Sequence, residues 1–284
     1  MTTTVHTAKI VAHRGFSSRQ PEMTLAAYTD AISWAAETGQ PLGLECDVRF
    51  SRDDQLVCLH DSTLTRTSNG RGFVDAKTLA ELRDLDFGSW KLPNPTAAQR
   101  SVMSLPDLLD LVQNAQHQGI DISLSIETKH PNSHGLQLER HVSQLLGERG
   151  WDRAGSPVRL ITFSVPGARL LAHLVPEVDR TLLIDRSLDH WGNGLLPSGI
   201  RDVGVNIRLL RKDPGFVRRA RAHGNEVHAW TVNEVSDLQL CRDLGIASVT
   251  TDYPDRAWEV LRRTDTGLSL GSTRKRWFSR STAA

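Results

Sequence analysis

The feature that most constrains this chain is an eightfold alternation of short extended apolar patches with helix-sized segments. The patches are 8–15, 42–48, 121–129, 158–164, 180–185, 203–207, 226–232 and 247–252. Amphipathic stretches at 24–39, 104–116, 135–149, 166–174, 213–223, 234–244 and 254–263 follow them, with apolar residues at helical spacing. Only 187–200, "SLDHWGNGLLPSGI", is too rich in breakers for a helix. Strands that alternate with helices form a parallel sheet. Eight repeats within 8–263 suit one α/β domain, a closed (β/α)8 barrel of the TIM type, better than an open doubly wound sheet. A long polar excursion, about 49–103, interrupts the second repeat and reads as a small inserted subdomain after the second strand. No G-x-G-x-x-G or P-loop fingerprint is present.

One helix start and one helix stop are legible. Ser104 caps the segment that carries Pro106 in its first turn, and Gly39 ends the first helix. The tail, 264–284, is rich in Ser, Thr, Gly and Arg and reads as a flexible, solvated extension.

The chain has 284 residues, 39% of them hydrophobic and 24% charged, with a formal net charge of +1. That balance argues against nucleic acid or an acidic membrane as partner. No apolar run approaches the roughly 20 residues of a membrane span, so no stable membrane insertion is expected. The start carries no apolar signal segment, and Cys46, Cys58 and Cys241 are too few for a disulfide scaffold. A cytoplasmic chain is expected. Nothing in it specifies an oligomeric state.

The chemistry concentrates in "GLECDVRFSRDDQLVCLHD", 43–61. Residues 45 and 47 of a strand share a face, so Glu45 and Asp47 project together into the barrel mouth. Neighbouring carboxylates raise each other's pKa, and a divalent cation removes that penalty. Glu127, in "LSIETKH", ends another strand, with Lys129 on its face. Glu45, Asp47 and Glu127 make an all-oxygen ligand set suited to Mg²⁺ or Ca²⁺ rather than zinc. "AHRG" sets His13 and Arg14 on the same rim. A hairpin with its tip near Asp53–Asp54 would return His60 opposite Asp47 and turn Cys46 and Cys58 to opposite faces. Arginine, lysine, two imidazoles and a carboxylate-bound cation in one mouth describe a phosphate site with paired acid–base groups.

In order, "VAHRG", "PEMTLAAY", "LECDVRFSRDDQLVCLHDSTLTRTSNGRG", "TLAELRDLDFG", "IETKH", "WTVNE" and "TDYP" span 11 to about 260. Together they resemble the glycerophosphodiester phosphodiesterase family. The resemblance implies metal-dependent hydrolysis of a small-molecule glycerophosphodiester to sn-glycerol 3-phosphate and an alcohol. It makes Glu45, Asp47 and Glu127 the metal ligands, and His13 and His60 the general base and acid. Arg14 and Lys129 become phosphate partners, and Trp230 lines the substrate cleft. The attacking oxygen is water or the glycerol 2-hydroxyl. Two departures stand out: Met23 replaces the amide of the family's P-E-N-T, and Thr128 replaces an apolar residue at a position that should face away from the mouth.

Other residues invite plainer readings. Arg66 either reaches substrate from the excursion or stabilises its loop. His228 is a supporting candidate, and His130 and His134 flank the rim. The remaining histidines are read as structural, and Trp34, Trp90, Trp151, Trp191 and Trp258 as packing residues. Two rival functions stay in view. One is a phospholipase-D-like enzyme acting on whole lipids. The other is a non-catalytic metal- and phosphate-binding barrel.

Overall fold

A computed structural model describes residues 8–262. The expected tail at 264–284 lies outside the described residues.

Eight parallel strands close into a barrel: β1 (Lys9–Ala12), β2 (Leu42–Phe50), β4 (Ile122–Thr128), β5 (Val158–Thr162), β6 (Asp179–Ile184), β7 (Asp202–Asn206), β8 (Glu226–Trp230) and β9 (Ser248–Thr251). Closure comes from β1, which pairs in parallel with both β2 and β9. A short ninth strand, β3 (Leu56–Cys58), runs antiparallel to the far end of β2. All eight expected strands are present.

The outer helices are α1 (Leu25–Thr38), α4 (Leu105–His117), α5 (Gln137–Glu148), α6 (Val165–Leu174), α7 (Ile207–Lys212), α8 (Gly215–Ala222), α9 (Val235–Asp243) and α10 (Pro254–Arg262). Thr24 caps α1 by accepting from the Ala27 amide, and Gly39 ends it at φ 62°. Ser104 accepts from the Asp107 amide at the start of α4. The helix expected over 213–223 is present as α8, and a further short helix that was not expected, α7, precedes it. Asn206 caps α7, and Pro214, which has no N–H to donate, divides the two.

The polar excursion forms a separate small layer with helices α2 (Leu79–Arg83) and α3 (Ala97–Arg100). It has its own buried cluster of Val57, Leu59, Leu64, Val74, Leu82, Phe87 and Val102. Its hairpin register differs from expectation by one residue. Val48 pairs with Cys58, and the Leu59 amide donates to the Asp47 carbonyl, so Leu59 and not His60 stands opposite Asp47. The cause is the tip, where Ser51 bonds Gln55 and centres the turn on Asp53. The same register turns Cys46 and Cys58 to one face, where both are buried free thiols.

The barrel interior is unusually thin and polar. Gly43, Ser125, Gly204 and Ser248 line it where bulky branched residues commonly sit. A Cβ on Gly204 would meet Leu183 at 2.5 Å. Below them Arg159 closes the floor, bonded to Asp202, to Thr181 at 3.0 Å and to Asp179 at 3.0 Å. The result is a deep mouth over a salt-bridged base.

Gly15 follows the two rim residues of β1 and turns the chain into α1. It sits at φ 80°, and an added Cβ would come within 2.7 Å of the Ala27 backbone. Gly15→Ala should therefore lower stability by roughly 1–3 kcal/mol, measured as a shifted urea midpoint with unchanged m-value.

Candidate active site

At the C-terminal ends of the strands lies a cleft of about 800 Å³. Strand register explains who meets there. Asp47 pairs with Glu127 across β2 and β4, and Ala12 pairs with Leu44 across β1 and β2, which sets His13 and Arg14 beside Glu45. Carboxylate oxygens of Glu45, Asp47 and Glu127 lie within 4.8 Å of one another. All three residues are buried, Asp47 to 1% exposure.

Two cations share this cluster. Lys129 Nζ lies 3.1 Å from Asp47 Oδ1 and 2.8 Å from Glu127 Oε1. Arg14 Nε lies 3.1 Å from Asp47 Oδ2, and the Arg14 amide donates to Glu45 at 3.0 Å. Burial alone would raise Asp47, but Lys129 and then Arg14 override it and hold its carboxyl well below the usual range. Burial, followed by Asp47, pushes Glu127 up to about 8 and Glu45 well above the carboxylate range. Were all three carboxylates ionised, as a bound cation would hold them, the two positive charges beside them would leave one negative charge over.

That surplus is the fit test for a metal. Asp47 Oδ2 and Glu127 Oε1 are buried with no aligned hydrogen-bond donor, although each faces a cation. Carboxylate oxygens of three residues converging in one spot are a hard-cation ligand set. The residues present fit a divalent cation.

Each flanking imidazole is tied by Nδ1 to a carboxylate. His13 Nδ1 lies 2.7 Å from Asp252, and His60 Nδ1 lies 2.6 Å from Asp61. An ionised carboxylate only accepts, so each Nδ1 carries the proton and each Nε2 is left for the cleft. Asp252 also accepts from Ser17 at 2.9 Å and Asn233 at 2.6 Å, and Asp61 accepts from Arg66 at 2.6 Å. Burial would raise both acids, yet His13, followed by Asn233 and Ser17, pulls Asp252 down to about 2, and Arg66, followed by His60, does the same for Asp61. Burial lowers His60, with Asp47 opposing. Arg49 grips the His60 carbonyl at 2.7 and 2.9 Å.

Trp230 ends β8 in the cleft wall, edge-on to Phe163 at 5.4 Å. The site thus brings together His13, Arg14, Glu45, Asp47, His60, Glu127, Lys129 and Trp230. Sequence reasoning assigned no role to Asp61 or Asp252, although both stood in quoted motifs, "HD" and "TDYP". Arg66 spends its guanidinium on Glu22 and Asp61 rather than facing the cleft. His228 belongs to the floor, bonded to Ser248 at 2.7 Å. His130 lines the cleft and bonds the buried Glu139 at 2.6 Å, whereas His134 packs on Phe50. Thr128 faces outward as expected, and Met23 is buried in the main core. Trp90, read as a packing residue, is 41% exposed on the insertion.

A closed parallel barrel with a carboxylate–imidazole mouth defines a phosphodiester-directed enzyme. Residues 13–256 match the glycerophosphoryl diester phosphodiesterase family. The chain is 34% identical over 272 residues to the "probable glycerophosphodiester phosphodiesterase 1" of Mycobacterium tuberculosis, covering 93% of this chain and 95% of that one. It is 28% identical over 254 residues to the glycerophosphodiester phosphodiesterase of Bacillus subtilis, covering 86% and 83%. Its fold matches an Oleispira antarctica phosphodiesterase solved with the product sn-glycerol-3-phosphate, at TM-score 0.72, 24% identity and 90% and 97% coverage. The chain belongs to the glycerophosphodiester phosphodiesterase family, which are phosphoric diester hydrolases.

Asp252 supplies a pH test. Its folded pKa lies below the unfolded value of about 3.9, so its contribution is present above that value and lost as pH falls toward about 2. Asp252→Asn should cost on the order of 2 kcal/mol near pH 6. In urea titrations that difference should shrink steadily between pH 4 and 2; a constant difference would contradict the assignment.

Proposed function

We propose that this chain hydrolyses glycerophosphodiesters to sn-glycerol 3-phosphate and an alcohol with a divalent cation, Mg²⁺ or Ca²⁺, held by Glu45, Asp47 and Glu127. The observation that carries the reading is the buried carboxylate trio converging within 4.8 Å, one negative charge in excess of Arg14 and Lys129 when all three are ionised, flanked by two imidazoles whose Nδ1 atoms are tied to carboxylates. A divalent cation would leave that cluster with one positive charge, which a phosphodiester monoanion neutralises. The product named in the Oleispira antarctica complex supports the same substrate class.

When bound, the cation supplies Lewis-acid polarisation of a phosphate oxygen. Arg14 and Lys129 hold the remaining oxygens and stabilise charge that grows on them. One imidazole, neutral with Nε2 unprotonated, takes the proton of the attacking oxygen there, and the other, entering the reaction as the imidazolium, gives its Nε2 proton to the departing alkoxide and is left neutral. We assign the second role to His60. Asp252 and Asp61 keep each ring in the Nδ1–H form and favour its cationic state after proton uptake. Trp230 and Phe163 form an apolar wall against the organic part of the substrate.

The test is coupled detection of sn-glycerol 3-phosphate released from glycerophosphocholine. Activity should vanish after chelation and return with Mg²⁺ or Ca²⁺. Release that persists in full after exhaustive chelation would remove the metal from the scheme. His13→Ala and His60→Ala should each lower kcat roughly 10²–10⁴-fold; near-normal turnover in both would exclude proton transfer by these rings.

A further inference from the structure

His13 and His60 are supported very differently. His13 directly follows β1, which is paired on both sides, and its partner Asp252 directly follows the neighbouring β9. His60 follows β3, a three-residue strand paired to β2 and held on its other edge only by the Val57–Ser104 bridge and a bond from the Cys58 amide to the Met103 carbonyl, and belongs to the insertion. Arg49 fixes its backbone carbonyl but not its ring. Something must hold the insertion's imidazole against the barrel's phosphate-facing groups.

Arg66 is placed to do so. Its Nε and one terminal nitrogen donate to Asp61 at 2.6 and 3.2 Å. Its two terminal nitrogens donate to Glu22 at 2.9 and 2.7 Å. Glu22 comes from the barrel segment between β1 and α1 and also accepts from Arg14 at 2.8 Å. An unbroken chain of charge-assisted bonds therefore runs Arg14–Glu22–Arg66–Asp61–His60. Glu22 is 13% exposed and Arg14 14%, so the barrel half is sheltered. Arg66 itself is 41% exposed, and an exposed ion pair adds little to stability. Its value lies in geometry: the planar fork fixes two carboxylates at a set distance and angle, which a lysine cannot reproduce.

We propose that Arg66 and Glu22 are positioning residues that clasp the insertion to the barrel and hold His60 in register with Arg14. This rests on the reading of His60 as a proton-transfer group. A misplacement near 1 Å in a reacting group costs about 10²-fold in rate, so the clasp acts on turnover and scarcely on folding.

The experiment compares Arg66→Gln, Arg66→Lys, His60→Ala and the His60→Ala/Arg66→Gln double variant on glycerophosphocholine, with thermal midpoints. Arg66→Gln should lower kcat about 10- to 100-fold, leave KM within about threefold, and move the midpoint by less than about 5 °C. Arg66→Lys should fall between it and the parent. The double variant should be no slower than His60→Ala, because Arg66 acts through that ring. Parental kcat in Arg66→Gln, or losses that multiply in the double variant, would overturn the clasp. Full activity in His60→Ala alone would instead overturn the functional reading beneath it.

Discussion

Three carboxylates buried beside one another repel, and the upper half of this barrel is organised around that repulsion. Parallel register forces Asp47 and Glu127 together, and closure of the barrel through β1 brings Arg14 onto Glu45. Burial in a poorly polarisable site magnifies both the repulsion and whatever relieves it. Arg14 and Lys129 relieve part of it. On the proposed reading, the remainder is what would make the site a receptor for a cation, and the cation for a phosphate. A polar, glycine-thinned interior beneath, closed by Arg159 and its acids, leaves the mouth deep enough to surround a small diester.

The two imidazoles show how one chemical device can be built from different supports. Each has a carboxylate at Nδ1 that is itself saturated by other donors. For His13 those donors, Ser17 and Asn233, belong to the barrel loops. For His60 the donor is an arginine of the insertion that reaches back to the barrel through Glu22. The insertion is thus a working part of the mouth, with its own small core to keep β3 in place.

Much of this was legible in the sequence, for physical reasons. Strands buried on both faces read as apolar runs, and period-two spacing put Glu45 and Asp47 on one face before any coordinates. Glu127 and Lys129 were legible by the same rule. The hairpin register was not, because one residue of turn geometry at Asp53 decides it and reverses the faces of Cys58 and its neighbours. Asp252 was hidden because its meaning depends on β9 lying beside β1, a contact spanning most of the chain. Arg66 was ambiguous because a solvated arginine and a bridging one look alike until Glu22 and Asp61 are seen on either side. The short α7 was missed because its six residues carry too little helical periodicity to read between β7 and Pro214.

The most direct test of the central claim is anomalous diffraction from crystals soaked in Mn²⁺ as a stand-in for Mg²⁺. The account predicts a single strong peak within about 2.0–2.6 Å of oxygens from Glu45, Asp47 and Glu127 together. A peak that omits Glu127, or no peak in the mouth at metal concentrations that support turnover, would contradict it.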